Sequence, residues 1–459
     1  MPDNSSMTTR KVIGRCLIAL ILSTLVIAPV GGCRWYVDRE GRKLRDAAIT
    51  RIETTDPRWR WEDIEADLPA LRNEDNASLL VAEFRNTVGI EQYFRIDFRP
   101  ERGPIHTDLG TPCNHIPTDF AYSIIDKELD STEVAWPVVG RLANTPRGRC
   151  TFLSASTWAK RRRPDNERIE PVLNYLEWEA ERQARANHPE RQETIVRAYL
   201  NIVRIEEVRP YTGGPLGRHH RLDLAARLVE RLLALDCLGD RLPRLQAEFA
   251  AEAEVELFRP AVRETRAVYD KLFQAFATGE VSLTEEFTGR SSDVPIREMA
   301  EVWMYRPQAA ADWAGALDFA TDMLAVADLP DAARSSAFAA IPLPPADGRH
   351  PFALGCARNL KSMLDSSLRT RALLRCTATA LAVERCRQLT GAWPASLEAI
   401  PKAVLPAVPA DPFTGSPLGY SRTAEGVTIS STGVRTAFRL YDPSQRRLPP
   451  LPLPARDDD

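Results

Sequence analysis

The most apolar stretch of the chain is residues 16–30, which carries no charge and follows Arg10, Lys11 and Arg15. Extended through Gly32 it counts 17 residues, the lower edge of the roughly 17–25 that cross a bilayer as a helix. A run this short also fits the apolar region of a secretory signal. Residues 34–55 keep a helical pattern up to the Asp56-Pro57 break, so the predicted helix leaves the membrane as a stalk. Residues 58–64 start a short helix whose Trp59 and Trp61 are expected to pack against the body. Residues 73–88 form another, with Leu79, Leu80, Phe84 and Val88 on one face. Between Tyr93 and Trp158 the periodicity fades. Tyr93 to Phe98 alternates like a strand, and Pro and Gly recur over 100–117.

From residue 165 to about 290 the helical period returns. Val172, Tyr175 and Leu176 open one segment, Ile195, Tyr199, Ile202 and Val203 the next. Leu224, Leu228, Leu232 and Leu235 then recur on one face, and residues 242–257 and 262–276 complete the series. Residues 291–350 are Ala- and Pro-rich pieces, and a long helix is predicted from about 353 to 389. The fold class is therefore mainly α: an N-terminal membrane helix, a helical bundle or irregular α-solenoid, and a small C-terminal antiparallel β module. The expected divisions are 1–33 (anchor or signal), 34–160 (stalk and mixed, loop-rich region), 161–350 (helical domain), 351–445 (long helix plus β module) and 446–459 (disordered tail).

Composition narrows the function. Sixty Lys and Arg face 63 Asp and Glu, a net charge of −3, without the basic excess of a dedicated nucleic-acid binder. The expected partners are the lipid bilayer and an envelope protein, with no nucleic acid. The sequence Val30-Gly31-Gly32-Cys33 resembles the acylation signal of bacterial lipoproteins, which makes Cys33 a candidate lipidation site and a lipoprotein the alternative to an uncleaved anchor. Cations on both sides of the apolar run pull the orientation both ways. A short tail before a large domain favours a single-pass anchor with an extracytoplasmic body.

The eight cysteines form no CxxC pair. In an oxidising compartment Cys113 and Cys150 are the candidate disulfide, contributing about 3–4 kcal/mol by loop closure. Cys376 and Cys386 stand about 80° apart around one helix and are expected to be buried and reduced. No GxSxG, Walker, HExxH or GxGxxG pattern occurs, so no catalytic, cofactor or metal residues are assigned. Cys113, His115 and Asp119 are the residues to consider if the 93–160 segment holds an enzyme site. Residues 213–220, Gly-Gly-Pro-Leu-Gly-Arg-His-His, read as an interhelical loop preceding a helix.

The most specific pattern lies over residues 381–433. A helix ends at Gly391, and Trp393-Pro394-Ala395-Ser396-Leu397 restarts a short helix with Ser396 as N-cap. There follow Asp411-Pro412-Phe413-Thr414-Gly415-Ser416-Pro417-Leu418-Gly419-Tyr420, two strands at 419–422 and 426–431, and a third over 436–441. These residues resemble the C-terminal half of the type II secretion major pseudopilin: long helix, GxxP break, Asp-Pro-aromatic-Gly turn, small antiparallel sheet. The pseudopilin cleavage motif and its acidic calcium loop are absent, so the resemblance implies a shared small fold without calcium. The same ending, with Leu242 to Gln246 and Arg263-Glu264-Thr265-Arg266-Ala267, is similar to a group of uncharacterised membrane-anchored bacterial proteins. The resemblance makes Trp393, Asp411, Phe413 and Tyr420 the partner-binding candidates. The function expected is an envelope-anchored interaction or scaffold protein without evident catalysis. The alternatives are a secretion-associated accessory protein docking through 390–441 and an enzyme with a site in 93–160.

Overall fold

The computed structural model describes residues 5–68, 70–89, 132–149, 166–205, 214–234, 236–284, 295–346, 348–423, 426–432 and 438–441. Side chains are described from residue 28 onward, except at 132, 166–168, 214–216, 234, 438, 439 and 441. Among these residues the chain forms α1 (Ser5–Thr55), α2 (Trp61–Asp67), α3 (Ala77–Val88), α4 (Thr132–Asn144), α5 (Asn166–Arg185), α6 (Pro189–Val203) and α7 (Gly214–Ala234). Then come α8 (Leu242–Ala253), α9 (Phe258–Thr278), α10 (Ile296–Tyr305), α11 (Ala309–Ala327), α12 (Asp331–Ala340) and α13 (Pro351–Thr390). Strands β1 (Gly419–Thr423), β2 (Gly426–Ser430) and β3 (Phe438–Tyr441) make one antiparallel sheet in that order. The protein is mostly helical with a small antiparallel sheet.

Each of two compact units gathers three stretches of chain. One comprises Met1–Asp67, Val262–Leu324 and Ile341–Leu360; the other comprises Leu68–Ala261, Ala325–Ala340 and Lys361–Asp459. In the first, α1 ends at Thr55 as the Asp-Pro break requires, and its last turns bury Ala48 and Ile52. Gly41 lies against α11, where a Cβ would stand 2.9 Å from the Ala311 nitrogen. Trp59 and Trp61 are buried. An aromatic core is built on Phe273, which stacks on Trp313 with centroids 5.6 Å apart and meets Phe276 and Phe352 edge-on. Asp312 caps the start of α13: its carboxylate accepts from Phe352 N at 3.0 Å and Ala353 N at 2.7 Å, and from the Tyr305 hydroxyl at 2.7 Å. Among the described residues no helix is long and apolar enough to cross a membrane. Residues 16–27, which hold most of the apolar run, lie outside the described side chains.

The second unit has one continuous core that takes in Phe84, Tyr175, Tyr199, Phe249 and Leu381. The sheet belongs to it. Val427 and Ile429 of β2 and Leu440 of β3 point into the same core, because alternate residues of a strand face one side. Asn76 caps α3 by accepting from Ser78 N at 3.1 Å, and also clamps Arg149 through paired bonds to its N–H and carbonyl. Gly148 is required beside that clamp, since a Cβ would meet Ile205 at 2.7 Å.

Three local expectations are corrected. The region 93–158, read as irregular, contains α4, whose Ala135, Val138, Val139 and Leu142 are buried; Pro137 and Gly140 mask its period. Residues 214–220, read as part of an interhelical loop, belong to a helix, because α7 begins at Gly214 with Pro215 in its first turn, where a missing N–H costs nothing. The predicted restart at Ser396 is a pair of turns, with Ala399 N bonded to Ser396 O and Ile400 N to Leu397 O, rather than a helix. The long helix and the strands at 419–423 and 426–430 appear where the sequence places them.

Candidate functional site

Of the four residues singled out in the C-terminal module, three make contacts inside it. Asp411 is buried, and its carboxylate accepts from Phe413 N at 3.0 Å, Ser431 Oγ at 2.8 Å, Thr432 N at 2.8 Å and Thr432 Oγ1. Burial acts to raise its pKa, yet the bonds from Thr432, Phe413 and Ser431 prevail and hold it below the ordinary value. Backbone bonds Asp411 N to Ser416 O and Gly415 N to Asp411 O close the turn, with Gly415 at φ 72°. Tyr420 donates its hydroxyl to Pro394 O at 2.7 Å, tying β1 to the turns after α13. Trp393 is buried beneath the Arg387 guanidinium, 5.3 Å from the ring centroid. Phe413 is half-buried, and Thr414 to Pro417 are exposed.

The module is also bonded to the helices beside it. Gln246 of α8 donates to Val404 O at 2.8 Å, and Arg375 of α13 donates to Ala410 O at 2.9 Å. Farther along α13, Arg371 pairs with Asp331, and Arg334 with Glu256 at 2.8 Å. The chemistry of the Asp-Pro-Phe-Thr-Gly motif is therefore largely spent on holding this segment in place.

The second concentration of polar groups lies on α6, α7 and α8. His219, Tyr199 and Glu252 are buried. Glu252 accepts from Arg204 and Arg218, each at 2.8 Å; burial works to raise its pKa and these guanidiniums bring it below the ordinary value. His219 has no hydrogen-bond partner on either ring nitrogen among the described residues. Burial first, then the charges of Arg218 and Arg371, push its pKa down to about 4, so the imidazole is neutral at pH 7. Burial raises the Tyr199 phenol, and nearby Arg221 opposes the shift. Of the two, His219 is the buried group whose titration can make stability depend on pH.

Read from the sequence, His219 falls in a loop. A signal that it is interior is nevertheless present: His219, Leu222, Ala226, Val229 and Leu233 follow helical spacing and all are buried. Cys33 is free and exposed on α1, while Cys237, Cys356, Cys376 and Cys386 are free and buried. Cys113, Cys150, His115 and Asp119 lie outside the described residues. No group of three or more His, Cys, Asp or Glu able to hold a metal ion occurs among the described residues. No protein-family model, curated protein or solved structure matches the chain.

Proposed function

We propose that this chain is an envelope-anchored interaction or scaffold protein, held in a bacterial membrane by residues 16–32 with its body extracytoplasmic. The observation that carries the reading is the course of α1. One helix, Ser5–Thr55, contains the apolar run near its start and has its far end built into a folded unit. That end is held by charge as well as burial: Arg51 pairs with Asp318 at 3.2 Å and Asp322 at 2.6 Å. Just past the helix, Asp56 takes Arg263 at 3.1 Å and the fully buried Arg266. Such coupling suits an anchor that fixes the body close to the bilayer, in contrast to a flexible tether. Acylation at Cys33 after removal of residues 1–32 is the alternative form of the same anchoring.

The test is fractionation of cells producing the full chain, followed by carbonate extraction of the membranes. Retention in the pellet is expected. Release into the carbonate supernatant overturns the anchor, and turnover of a substrate by the purified protein overturns the scaffold reading.

A further inference from the structure

Helix α10 has two apolar faces. Val302 and Tyr305 point inward and pack with Leu283, Phe276, Ala309 and Phe352. The opposite stripe holds Ile296, Met299 and Trp303, spaced i, i+3, i+7 on one side of the helix. These three are 87%, 56% and 53% exposed, and Met304 beside them is 55% exposed. Surface helices normally turn a polar face outward, so a solvent-facing stripe of Ile, Met and Trp requires a cover.

The neighbour of this stripe points to the occupant. Arg34 of α1 donates to Trp303 O at 2.6 Å and lies 3.6 Å from the centroid of the Trp303 ring. Arg34 stands two residues beyond Gly32, where the uncharged run ends. Trp35 and Tyr36, next on α1, are each 59% exposed. Arg39 follows, and after it Arg42, Lys43 and Arg45 are paired with Asp38, Glu40 and Asp46 on the same helix. Trp and Tyr gather where a bilayer meets water, and a cation such as Arg34 at that level faces the headgroups. A helix lying in that boundary presents Trp, Met and aliphatic side chains to the acyl region.

We propose that α10 is an interfacial helix, its Ile296–Met299–Trp303 face seated in the headgroup–acyl boundary of the same bilayer that holds the N-terminal run. This rests on the anchoring reading: with residues 16–32 in the membrane, Arg34 lies at the headgroups and carries Trp303 to that level. The anchor is then two-legged, a span and an in-plane helix, which fixes the tilt of this unit on the membrane.

The full chain is reconstituted into vesicles of phosphatidylethanolamine and phosphatidylglycerol, part of the lipid carrying bromine high on the acyl chains. Bromine quenches tryptophan in contact with lipid. Co-flotation with the vesicles, and a quenched emission component that disappears in Trp303→Phe, is the expected result. Trp303 is exposed, so this substitution removes no core packing. Co-flotation with equal quenching in both proteins overturns the α10 proposal and leaves the anchor standing. A Met299→Cys variant in a Cys33→Ser background that oxidises to a linked dimer in the vesicles, with Trp303 unquenched, assigns the stripe to a second copy and overturns it too. Failure to float removes the anchor, and the proposal with it.

Discussion

Asp411 and Thr432 are joined twice: the Asp411 carboxylate accepts both the backbone N–H and the hydroxyl of Thr432, 21 residues later in the chain. With Ser431 Oγ and Phe413 N on the same carboxylate, one side chain closes the turn before β1 and pins the end of β2. Asp411→Ala leaves these donors without their acceptor in a buried setting, and is expected to cost about 3 kcal/mol. Denaturant unfolding measures the loss, and hydrogen exchange at the Phe413 and Thr432 amides locates it. Unchanged exchange at both amides would show that the carboxylate does not organise the segment.

This module is the most legible part of the sequence. Turn residues have local causes: Asp-Pro, Thr-Gly and a glycine at positive φ act within a few positions of themselves. The role of Asp411 is less legible, because its chief partners stand 20 and 21 residues away and an acidic motif residue reads equally well as a surface contact. The helical period that follows His219 is visible, yet the three glycines before it suggest a loop. The assembly of each unit from three separate stretches has no local signal at all. It depends on contacts such as Arg51 with Asp318, whose residues are 267 positions apart.

Close packing of α1 against α11 turns on Gly41. A side chain there meets the Ala311 nitrogen at 2.9 Å and the Ala310 Cβ at 3.3 Å. Gly41→Leu is expected to destabilise the protein by about 1–3 kcal/mol through overpacking. A Cβ at Gly140 of α4 would meet nothing within 4 Å, so Gly140→Ala serves as the control. Relief of glycine's helical cost there is worth roughly 0.5–1 kcal/mol in the stabilising direction. Thermal unfolding of the two variants should move in opposite directions, and equal shifts would refute the contact.

Thiol chemistry separates buried from accessible sulfur. Cys237, Cys356, Cys376 and Cys386 are free and buried, and burial pushes the Cys376 thiol up to about 12 and raises Cys356 as well. Nucleophilic thiolate is therefore scarce at all ordinary pH for these two. Maleimide labelling of the native protein, followed by peptide mass mapping, should leave all four unmodified. Addition of denaturant should expose all four. Native-state labelling at Cys376 would contradict the packing of α13 in the core.

His219 gives a pH dependence whose sign is fixed by its burial. Its folded-state pKa is about 4, against about 6.5 in an unfolded chain. Between those values the unfolded chain binds a proton that the folded protein refuses, so this contribution is intact above pH 6.5 and is lost as pH falls toward 4. The full loss is about 3 kcal/mol. Asp223 and Asp270 act with the opposite sign, because burial raises each to about 6; their contribution is complete below the ordinary carboxyl range and is lost as pH rises through 6. Subtracting a variant isolates the histidine. Unfolding free energies of the native chain and His219→Gln, measured at pH 7.5 and 4.5, should diverge, the native chain losing more on acidification. Parallel losses would mean that the imidazole titrates normally, and hence that α7 does not bury it.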